Sequence, residues 1–392
     1  MIQSSAVLKF ITVICLALLA YHYLIYAALM KVWGLLHPCP VRQAAVTPTV
    51  TLIVSAYNEA DVIAQKVENS LALDYPADKL EIMFVTDGSD DETPAIVARY
   101  AERGVVLLHS PARRGKSAAM NRGAAQARGN VLVFSDANAF YEPDVLRKLV
   151  RHFADETVGG VSGNKTIRQG DGRIGQSAGL YWRYESALKS WESAVGSTGA
   201  VVGEMLAVRR DCFTPIPPDI INDDTYLLLR LTGTGWRVLH DPEAVSWETA
   251  VLTPEDERIR RRRIAAGRYQ LVLQPRLWPW RYPVYLFQFF SHKVLRALLP
   301  FFMAGAFAAN LWLVGRKQAG KLMKLTFAGQ LIVYLLALVG ALFPGNGRWH
   351  KLPTVVYYIV NGNLTSVQGL LHYLSGKQTV LWEKASREKE AG

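Results

Sequence analysis

The chain has 392 residues; half of them are hydrophobic, only 20% are charged, and the formal net charge is +11 at pH 7. This charged fraction is low for a soluble protein, and the basic balance fits an anionic membrane surface or an anionic substrate. Nucleic acid is the weakest of the possible partners and is not predicted, because the sequence has no basic low-complexity tail and no zinc-finger spacing. Three scattered cysteines argue against a disulfide framework or a zinc site.

The sequence opens with an apolar run from about Val7 to Met30, which carries only Lys9, His22 and a few tyrosines as interruptions. About 20 apolar residues are enough to span the hydrocarbon of a bilayer. A signal peptide is the competing interpretation, but the run is too long and lacks a clear A-x-A cleavage site. We therefore predict an uncleaved transmembrane anchor, which together with a short polar linker occupies residues 1–48.

From residue 49 onward, short β-rich apolar runs alternate with helical sequence. Strand–helix alternation with uninterrupted apolar strands predicts an α/β fold with a mostly parallel sheet, covered on both faces. Ligands in such sheets bind at the carboxyl ends of the strands, so polar clusters there are candidate site residues. The predicted strands are 51–57, 81–87, 105–109 and 131–136, and the helices that follow them are expected from Glu59, Glu92, about Lys116 and Pro143.

The chain becomes strongly basic after Glu257, and an aromatic, amphipathic segment follows from Trp278 to about Leu295. Three apolar stretches come next. The first two are predicted to span the membrane, whereas the third contains Asn361 and Asn363 and must pack against protein or line a polar path. The stretches lie near 298–314, 325–343 and 352–373.

Two polar clusters stand at predicted strand ends. Asp87-Gly88-Ser89 follows the second strand, where a carboxylate can accept the imide N–H of a uracil ring while Gly88 lets the backbone turn closely around the base. Ser135-Asp136-Ala137-Asn138 follows the fourth strand, and hard oxygen ligands at alternate positions suit Mg²⁺ or Mn²⁺ bridging a diphosphate. Taken alone, each cluster fits an ordinary capped turn as well.

Two further clusters lie later in the chain. Asn222-Asp223-Asp224 presents adjacent carboxylates, one of which can act as a general base on an acceptor hydroxyl; a helix N-cap with an extra surface acid is the alternative. The arginine run 260–263 can pair with phosphate oxygens, or it can form a solvated or lipid-headgroup face, and both can hold together.

Taken in order, these clusters resemble the family 2 glycosyltransferases, which include cellulose, chitin, hyaluronan and poly-N-acetylglucosamine synthases. Each matching segment is common singly, but six of them in the right order make chance agreement negligible. The resemblance implies a GT-A-like domain over residues 49–270. The segments are S-A-Y-N-E (55–59), D-G-S-D-D-E-T (87–93), G-K-S-A-A-M-N-R-G (115–123), S-D-A-N-A-F-Y-E-P-D-V-L (135–146), the acidic pair at 223–224 and G-W-R-V…P-E-A…E (235–248).

The resemblance also implies a role for single positions and a divalent metal, Mg²⁺ or Mn²⁺, as cofactor. The implied site residues are Tyr57, Glu59, Asp87, Lys116 and Arg263 for the donor, Asp136 and Asn138 for the metal, and Asp224 as the catalytic base with Asp223 as the acid before it.

The implied reaction is an inverting transfer from a nucleotide-sugar, UDP-sugar by resemblance, to a polysaccharide or glycolipid acceptor in cell-surface polysaccharide synthesis. Two departures bear on it. The QxxRW motif is R-R-R-R-I at 260–264, without the tryptophan that lines the acceptor in processive synthases, which favours the alternative of a single-sugar transferase to a lipid carrier. Asn138 replaces a metal carboxylate, the one feature that favours a catalytically inactive membrane assembly subunit.

The resemblance places the catalytic domain in the cytosol at a bacterial inner membrane. Residues 271–374 then form an interfacial helix with transmembrane helices in contact with membrane lipids, and 375–392 a polar tail. Lys31 and Arg42 fall inside, in agreement with the positive-inside rule, whereas the basic residues at 316–324 fall outside, which the rule disfavours. Either one span fewer is present, or the segment around 284–314 does not simply cross.

Overall fold

The structure, a computed structural model, describes residues 2–168, 173–249, 254–343, 345 and 347–381. The predicted polar tail therefore lies outside the described residues from residue 382 onward. The described strands are β1 (Val50–Ala56), β2 (Leu80–Asp87), β3 (Val105–Ser110), β4 (Val131–Asp136), β5 (Phe140–Tyr141), β6 (Val158–Arg168), β7 (Met205–Arg209) and β8 (Arg237–Thr249).

The helices alternate with these strands and then dominate both ends of the chain. They are α1 (Ile2–Ala20), α2 (Tyr26–Leu36), α3 (Ile63–Leu71), α4 (Thr93–Ala98), α5 (Lys116–Gln126), α6 (Val145–Val150), α7 (Arg173–Val195), α8 (Asp223–Gly233), α9 (Pro254–Val272), α10 (Pro283–Phe289), α11 (Leu295–Gly315), α12 (Lys321–Leu342) and α13 (Lys351–Leu374).

The strands form one mixed sheet with the order β3-β2-β1-β4-β7-β6-β8-β5. The pairs β3-β2, β2-β1 and β1-β4 are parallel, as is β6-β8, whereas β4-β7, β7-β6 and β8-β5 are antiparallel. The four predicted strands are the parallel half of the sheet. Because β1 and β4 are adjacent and parallel, their polar carboxyl ends reach the same edge.

Both faces of the central strands are buried, which explains their uninterrupted apolar sequence. Leu52 and Val54 of β1 pack on one face with side chains of α3 and α6, while Ile53 packs on the other with those of α5 and α8. Each strand of this half therefore contributes to two cores and is fixed in register by both.

The first predicted helix begins later than expected. It starts at Ile63, not at Glu59, and Glu59 lies in the preceding loop. The reason is local: Asn58 has a φ of 53°, a left-handed conformation that a helix does not continue through, and the backbone N–H of Glu59 donates to Thr93 Oγ1 at 2.8 Å. The loop residues after β1 are consequently held against the loop after β2.

Three helical segments are long and apolar enough to cross a membrane: Ser5–Leu36, Pro283–Gly315 and Lys321–Leu342. They coincide with the predicted anchor and the first two predicted C-terminal spans, whose insertion in a membrane stays a prediction. The third apolar stretch is α13, which packs on α9, since a Cβ on Gly369 would lie 2.6 Å from Ala265 Cβ. Its amides meet the expectation of packing against protein, because Asn363 donates to the Tyr23 hydroxyl at 3.0 Å.

The segment Ser5–Leu36 is about 48 Å long at 1.5 Å per residue, so it exceeds the roughly 30 Å of bilayer hydrocarbon. Its second half, α2, packs against the α/β domain. Tyr26, Ala27 and Met30 form an apolar cluster with Leu188 of α7, against which Phe287 of α10 also packs. The anchor is thereby continuous with the wall of the α/β domain.

The two C-terminal spans are joined to each other by polar groups. Asn310 of α11 is fully buried, and its amide donates to Gln330 Oε1 at 2.8 Å and to Thr326 Oγ1 at 3.2 Å, both on α12. These hydrogen bonds replace water inside an otherwise apolar helix pair.

Candidate active site

A cavity of about 850 Å³ begins at the carboxyl ends of β1 and β4 and continues between α7, α9, α11 and α13. Of the nine predicted site residues, eight line it, and Asp87 does not. At its far end the cavity is lined by Tyr23 and Leu24 at the α1–α2 junction and by Ile359 of α13. The strand-end chemistry is thus connected with the helices of the membrane region.

Tyr57 and Glu59 lie at the end of β1 and line the cavity. The Arg113 guanidinium lies over the Tyr57 ring, 3.7 Å from its centroid, and Glu59 is buried with 7% of its surface exposed. An aromatic face and a carboxylate side by side at a parallel-strand end are groups suited to holding a nucleoside.

Asp87 does not line the cavity, and its carboxylate is held by hydrogen bonds within the protein. Its carboxylate is 1% exposed and accepts hydrogen bonds from the backbone N–H groups of Arg114 and Gly115 at 2.8 and 2.6 Å and from Arg122 Nη1 at 2.9 Å. Gly88 has a φ of +69°, and a Cβ there would lie 2.5 Å from Arg113 Cβ. In this geometry Asp87 holds the loop that brings Arg113 onto Tyr57, while direct contact with a base stays a prediction.

Lys116, the first residue of α5, joins two of the predicted acids. Its Nζ lies 2.6 Å from Asp136 Oδ1 and 3.6 Å from Asp223 Oδ2. Burial opposes the ammonium charge, but the two carboxylates outweigh it and raise the pKa of Lys116. Burial likewise opposes ionisation of Asp136, yet Lys116 lowers its pKa, whereas burial together with Asp224 and Asp136 raises the pKa of Asp223. The cluster is one electrostatic unit.

The two predicted catalytic acids are adjacent in sequence but differ in environment. Asp223 is 7% exposed and its Oδ2 is buried without a hydrogen-bond partner. Asp224 is more exposed toward the cavity and packs against Gly203, where a Cβ would lie 3.0 Å from Asp224 Cβ. Asp223 therefore faces the cation Lys116, and Asp224 is the acid with room for a second reactant.

Asn138 belongs to a polar network that lines the floor of the cavity. Its Nδ2 donates to Glu248 Oε2 at 3.2 Å, and Glu248 Oε1 lies 2.7 Å from Lys165 Nζ and 3.2 Å from Arg260 Nη1. Lys165 also forms an ion pair with Glu204, whose pKa is raised by burial and by Glu248. The network fixes Asn138 beside Asp136.

The arginine run at 260–263 is divided by the helical periodicity of α9. Arg260 pairs with Glu248 and with Glu257, and Arg261 pairs with Glu257 and lies 4.1 Å from the Tyr358 ring centroid. Arg263 Nη2 donates to the Ile221 carbonyl at 3.3 Å. All three line the cavity. The run therefore contributes to the cavity wall and is not a purely solvated face.

The donor set at this site can be compared with the needs of a divalent cation. Within the described ranges no three His, Cys, Asp or Glu side chains are grouped to hold a metal by themselves. Asp136 and Asn138 provide oxygen donors. Oδ2 of Asp223, which lies 3.6 Å from Lys116 Nζ and has no hydrogen-bond partner among the described residues, is a further acceptor close by. This set fits Mg²⁺ or Mn²⁺ with a diphosphate and water completing the shell, because such ions keep few protein ligands.

Sequence reasoning missed several cavity residues. Lys165, Glu204, Glu185, Lys189 and Lys293 all line the cavity, yet none belongs to a motif. Lys165 lies within β6, and Glu204 directly precedes β7. An ionisable residue within or beside an apolar strand needs a partner when it is buried, and this was the signal that could have identified both. The three others are isolated charges within helices.

A mixed α/β sheet with acids at the carboxyl ends of its central strands defines a GT-A-like domain, and this domain is joined to helices long and apolar enough to cross a membrane. Residues 51–213 match the model of Glycosyl transferase family 2, so this segment is a family 2 glycosyltransferase domain. The prediction made from the motif order is thereby confirmed.

Two curated relatives and one solved structure make the comparison more specific. The chain is 32% identical over 243 residues to beta-monoglucosyldiacylglycerol synthase of Synechocystis sp., which covers 59% of this chain and 50% of that protein. It is 25% identical over 249 residues to poly-beta-1,6-N-acetyl-D-glucosamine synthase of Staphylococcus aureus, which covers 61% of this chain and 60% of that one. The chain thus spans only about half of these relatives' length.

The solved structure covers nearly the whole fold. It is the mannosyltransferase PcManGT from Pyrobaculum calidifontis in complex with GDP-Man and Mn²⁺. The two chains share 26% sequence identity with a TM-score of 0.72, over 94% of this chain and 99% of that chain. The likeness therefore includes the helical region as well as the α/β domain.

Proposed function

We propose that the protein transfers a sugar from a nucleotide-sugar to a lipid-anchored acceptor at the cytosolic face of a membrane, with inversion at the sugar carbon. The observation that carries this proposal is the continuity of the cavity from Asp136 and Asp224 to Leu24 and Ile359 in the membrane region. Leu24 and Ile359 are 69% and 38% exposed, as side chains facing lipid would be.

The donor occupies the strand end of the cavity in this proposal. Tyr57 and Glu59 hold the nucleoside, and Lys116 and Arg263 face its phosphates. Asp136 and Asn138 would hold a divalent metal, which supplies neutralisation of the diphosphate as it leaves. PcManGT was solved with GDP-Man and Mn²⁺, so the donor is a UDP-sugar or a GDP-sugar.

The acceptor occupies the membrane side, where Asp224 removes the proton from the attacking hydroxyl. Its neighbour Asp223 is held by Lys116 and keeps that ammonium in place. Direct attack on the sugar carbon requires no covalent intermediate on the protein, and the product has the opposite anomeric configuration from the donor.

The α/β domain faces the cytosol in this proposal, because its donor, a nucleotide-sugar, is a cytosolic substrate. Two C-terminal spans return the chain to the side of the catalytic domain, where α13 packs on α9. The basic residues at 316–324 then lie outside, against the positive-inside preference.

A panel of UDP- and GDP-sugars, incubated with membranes that contain the protein, tests the proposal through release of nucleotide. We expect one donor to give nucleotide and a labelled product that extracts with lipid. Asp224→Asn membranes provide the matched blank. Release without any lipid-extractable product would contradict the lipid-anchored acceptor and favour a free polysaccharide, and no release from any donor would favour an inactive assembly subunit.

A further inference from the structure

The membrane-facing half of the cavity contains charges that the transfer reaction does not use. Glu185, Lys189, His292, Lys293 and Arg296 line its wall, between α7 and the start of α11. They are contributed by segments about 100 residues apart in the chain. Buried charges require partners, so the pairing of each group decides what this wall can bind.

The two carboxylates of this region are satisfied within the protein. Glu185 pairs with His292 Nε2 at 2.9 Å and with Arg296 at 3.3 Å. Glu192 accepts from the Tyr26 hydroxyl at 2.6 Å and pairs with His292 Nδ1 at 2.8 Å. Because both ring nitrogens of His292 face carboxylate oxygens, the ring donates on both sides and carries a positive charge. Two acids are thus balanced by His292 and Arg296.

Two ammonium groups are left over. Lys189 is 2% exposed and Lys293 is half-buried, and both line the cavity. Across the described part of the chain, neither Nζ makes a hydrogen bond or an ion pair with a protein group. Lys293 lies within electrostatic reach of Asp224, which places the pair beside the proposed acceptor hydroxyl.

We infer that Lys189 and Lys293 form a subsite for the phosphate of a lipid acceptor, whose chain leaves the cavity past Leu24 and Ile359. This inference rests on the proposed function for the position of the acceptor. A phosphate supplies the anionic oxygens that two unpaired ammonium groups need, and a phosphorylated lipid joins that group to an apolar tail. The apolar exit is continuous with the subsite, so a single amphiphile fills both.

The competing occupant is the diphosphate of the donor. Lys116, Arg260 and Arg263 already line the strand end of the cavity, next to Asp136 and Asp223. Lys189 instead lies near Glu185 and Glu192, and Lys293 lies near Glu185 and Asp224. Lysines that served the donor would affect nucleotide-sugar affinity, which gives the test a second readout.

The test is equilibrium binding of farnesyl phosphate to the full-length protein in nanodiscs, without a nucleotide-sugar, compared with binding of farnesol and of inorganic phosphate. We expect farnesyl phosphate to bind more tightly than either. Lys189→Met and Lys293→Met should each weaken it by about tenfold to hundredfold, since a charge-assisted hydrogen bond is lost, and leave farnesol unchanged. Lys148→Met is the control, because Lys148 pairs with Asp144 and does not line the cavity.

Nucleotide-sugar binding by the same variants serves as the check on folding and should equal that of the unmodified protein. Equal affinities for farnesyl phosphate and farnesol, or wild-type affinity for farnesyl phosphate in both variants, would overturn the subsite. Inorganic phosphate binding as tightly as farnesyl phosphate would overturn the lipid assignment, and loss of nucleotide-sugar affinity alone would assign the lysines to the donor. The experiment measures binding and not sugar transfer, so its result can be interpreted even if the proposed transfer reaction is not observed.

Discussion

The two ends of the cavity are built in different ways. The strand end is made of short contiguous motifs, in which Tyr57, Asp136 and Asp224 each follow or begin a regular element. The membrane end is made of single side chains from α7, α11 and α13, distant in sequence and joined only by packing. The strand end carries the ordered motifs that match the family, whereas the membrane end carries no such motif. Chemistry and acceptor choice are therefore separable, and substitutions should reveal them separately.

The largest expected effect is at Asp136. Asp136→Ala removes the one carboxylate that would hold the metal and leaves Lys116 with Asp223 alone. We expect sugar transfer to be lost and the Mn²⁺ dependence of nucleotide-sugar binding to disappear, and EDTA to have the same effect on the unmodified protein. Full transfer in EDTA would show that this end works without a metal.

The second effect distinguishes the two adjacent acids. Asp224→Asn keeps the shape and removes the charge, so transfer should fall by roughly 10²–10⁴-fold, as expected for loss of a general base, while nucleotide-sugar binding stays near normal. Asp223→Asn should disturb Lys116 and do milder harm. The transfer rate and the nucleotide-sugar affinity of both variants show which of the two acids is the base. If Asp224→Asn still transfers sugar and Asp223→Asn does not, the base is Asp223.

The third effect is on stability. Glu248→Gln removes a charge shared by Lys165 and Arg260 in the buried network, and we expect a loss of about 3 kcal/mol in the free energy of unfolding. Asp74→Asn breaks the exposed pair with Arg147 and should change stability little. Thermal denaturation in detergent compares the two, and equal midpoints would mean that the network does not support the cavity floor.

The smallest effect is a pH dependence confined to the membrane end. Burial lowers the pKa of Lys189 to about 8, despite the nearby carboxylates Glu185, Glu192 and Glu204, and with Lys293 as a neighbouring cation. An anion favours the ammonium form, so affinity for farnesyl phosphate should be nearly constant between about pH 7, where the phosphate is already doubly ionised, and pH 8, and fall by up to about tenfold per pH unit above it. The Lys189→Arg variant should reduce that slope, and nucleotide-sugar binding should not show it.

The same folded-state pKa predicts a change in stability. Because it lies below the unfolded value of 10.5, the unfolded chain binds more protons between about pH 8 and 10.5, and the contribution of Lys189 to stability rises with pH there. The contribution of Lys189 is isolated by measuring the free energy of unfolding of Lys189→Met and of the unmodified protein across this pH window. A difference between the two that does not vary with pH would contradict it.

The sequence was sufficient for the elements whose signal is local. The apolar runs predicted β1 to β4 to within a residue or two, because β1, β2 and β4 are largely buried on both faces and each of the four runs ends at a polar turn. The antiparallel strands were not predicted, since β6 and β8 are longer and carry charges such as Lys165 and Glu248 that a single sequence cannot pair. The predicted start of the helix at Glu59 was wrong, because the preceding residue Asn58 has a left-handed backbone conformation that the adjoining loop sets.

The candidate site divides in the same way. From motif order, Lys116, Asp136, Asp223 and Asp224 were predicted to belong to one site. The structure places all four in the lining of one cavity, while their catalytic roles stay predictions. The sequence around Lys189 and Lys293 does not predict that they line the cavity, because an isolated lysine in a helix is usually a surface residue. Only the packing of the neighbouring helices shows otherwise. Pairing over 100 residues of sequence is a property of the assembled fold.

The hydrogen bonds from Asn310 to Gln330 and Thr326 have a consequence for biosynthesis. When α11 leaves the ribosome first, its amide has no partner in hydrocarbon, and α12 supplies one only about 20 residues later. We therefore expect the two helices to insert more efficiently as a hairpin than one after the other. A chain terminated after Gly315 would leave the amide unsatisfied in lipid, and quality-control proteases would be expected to remove it.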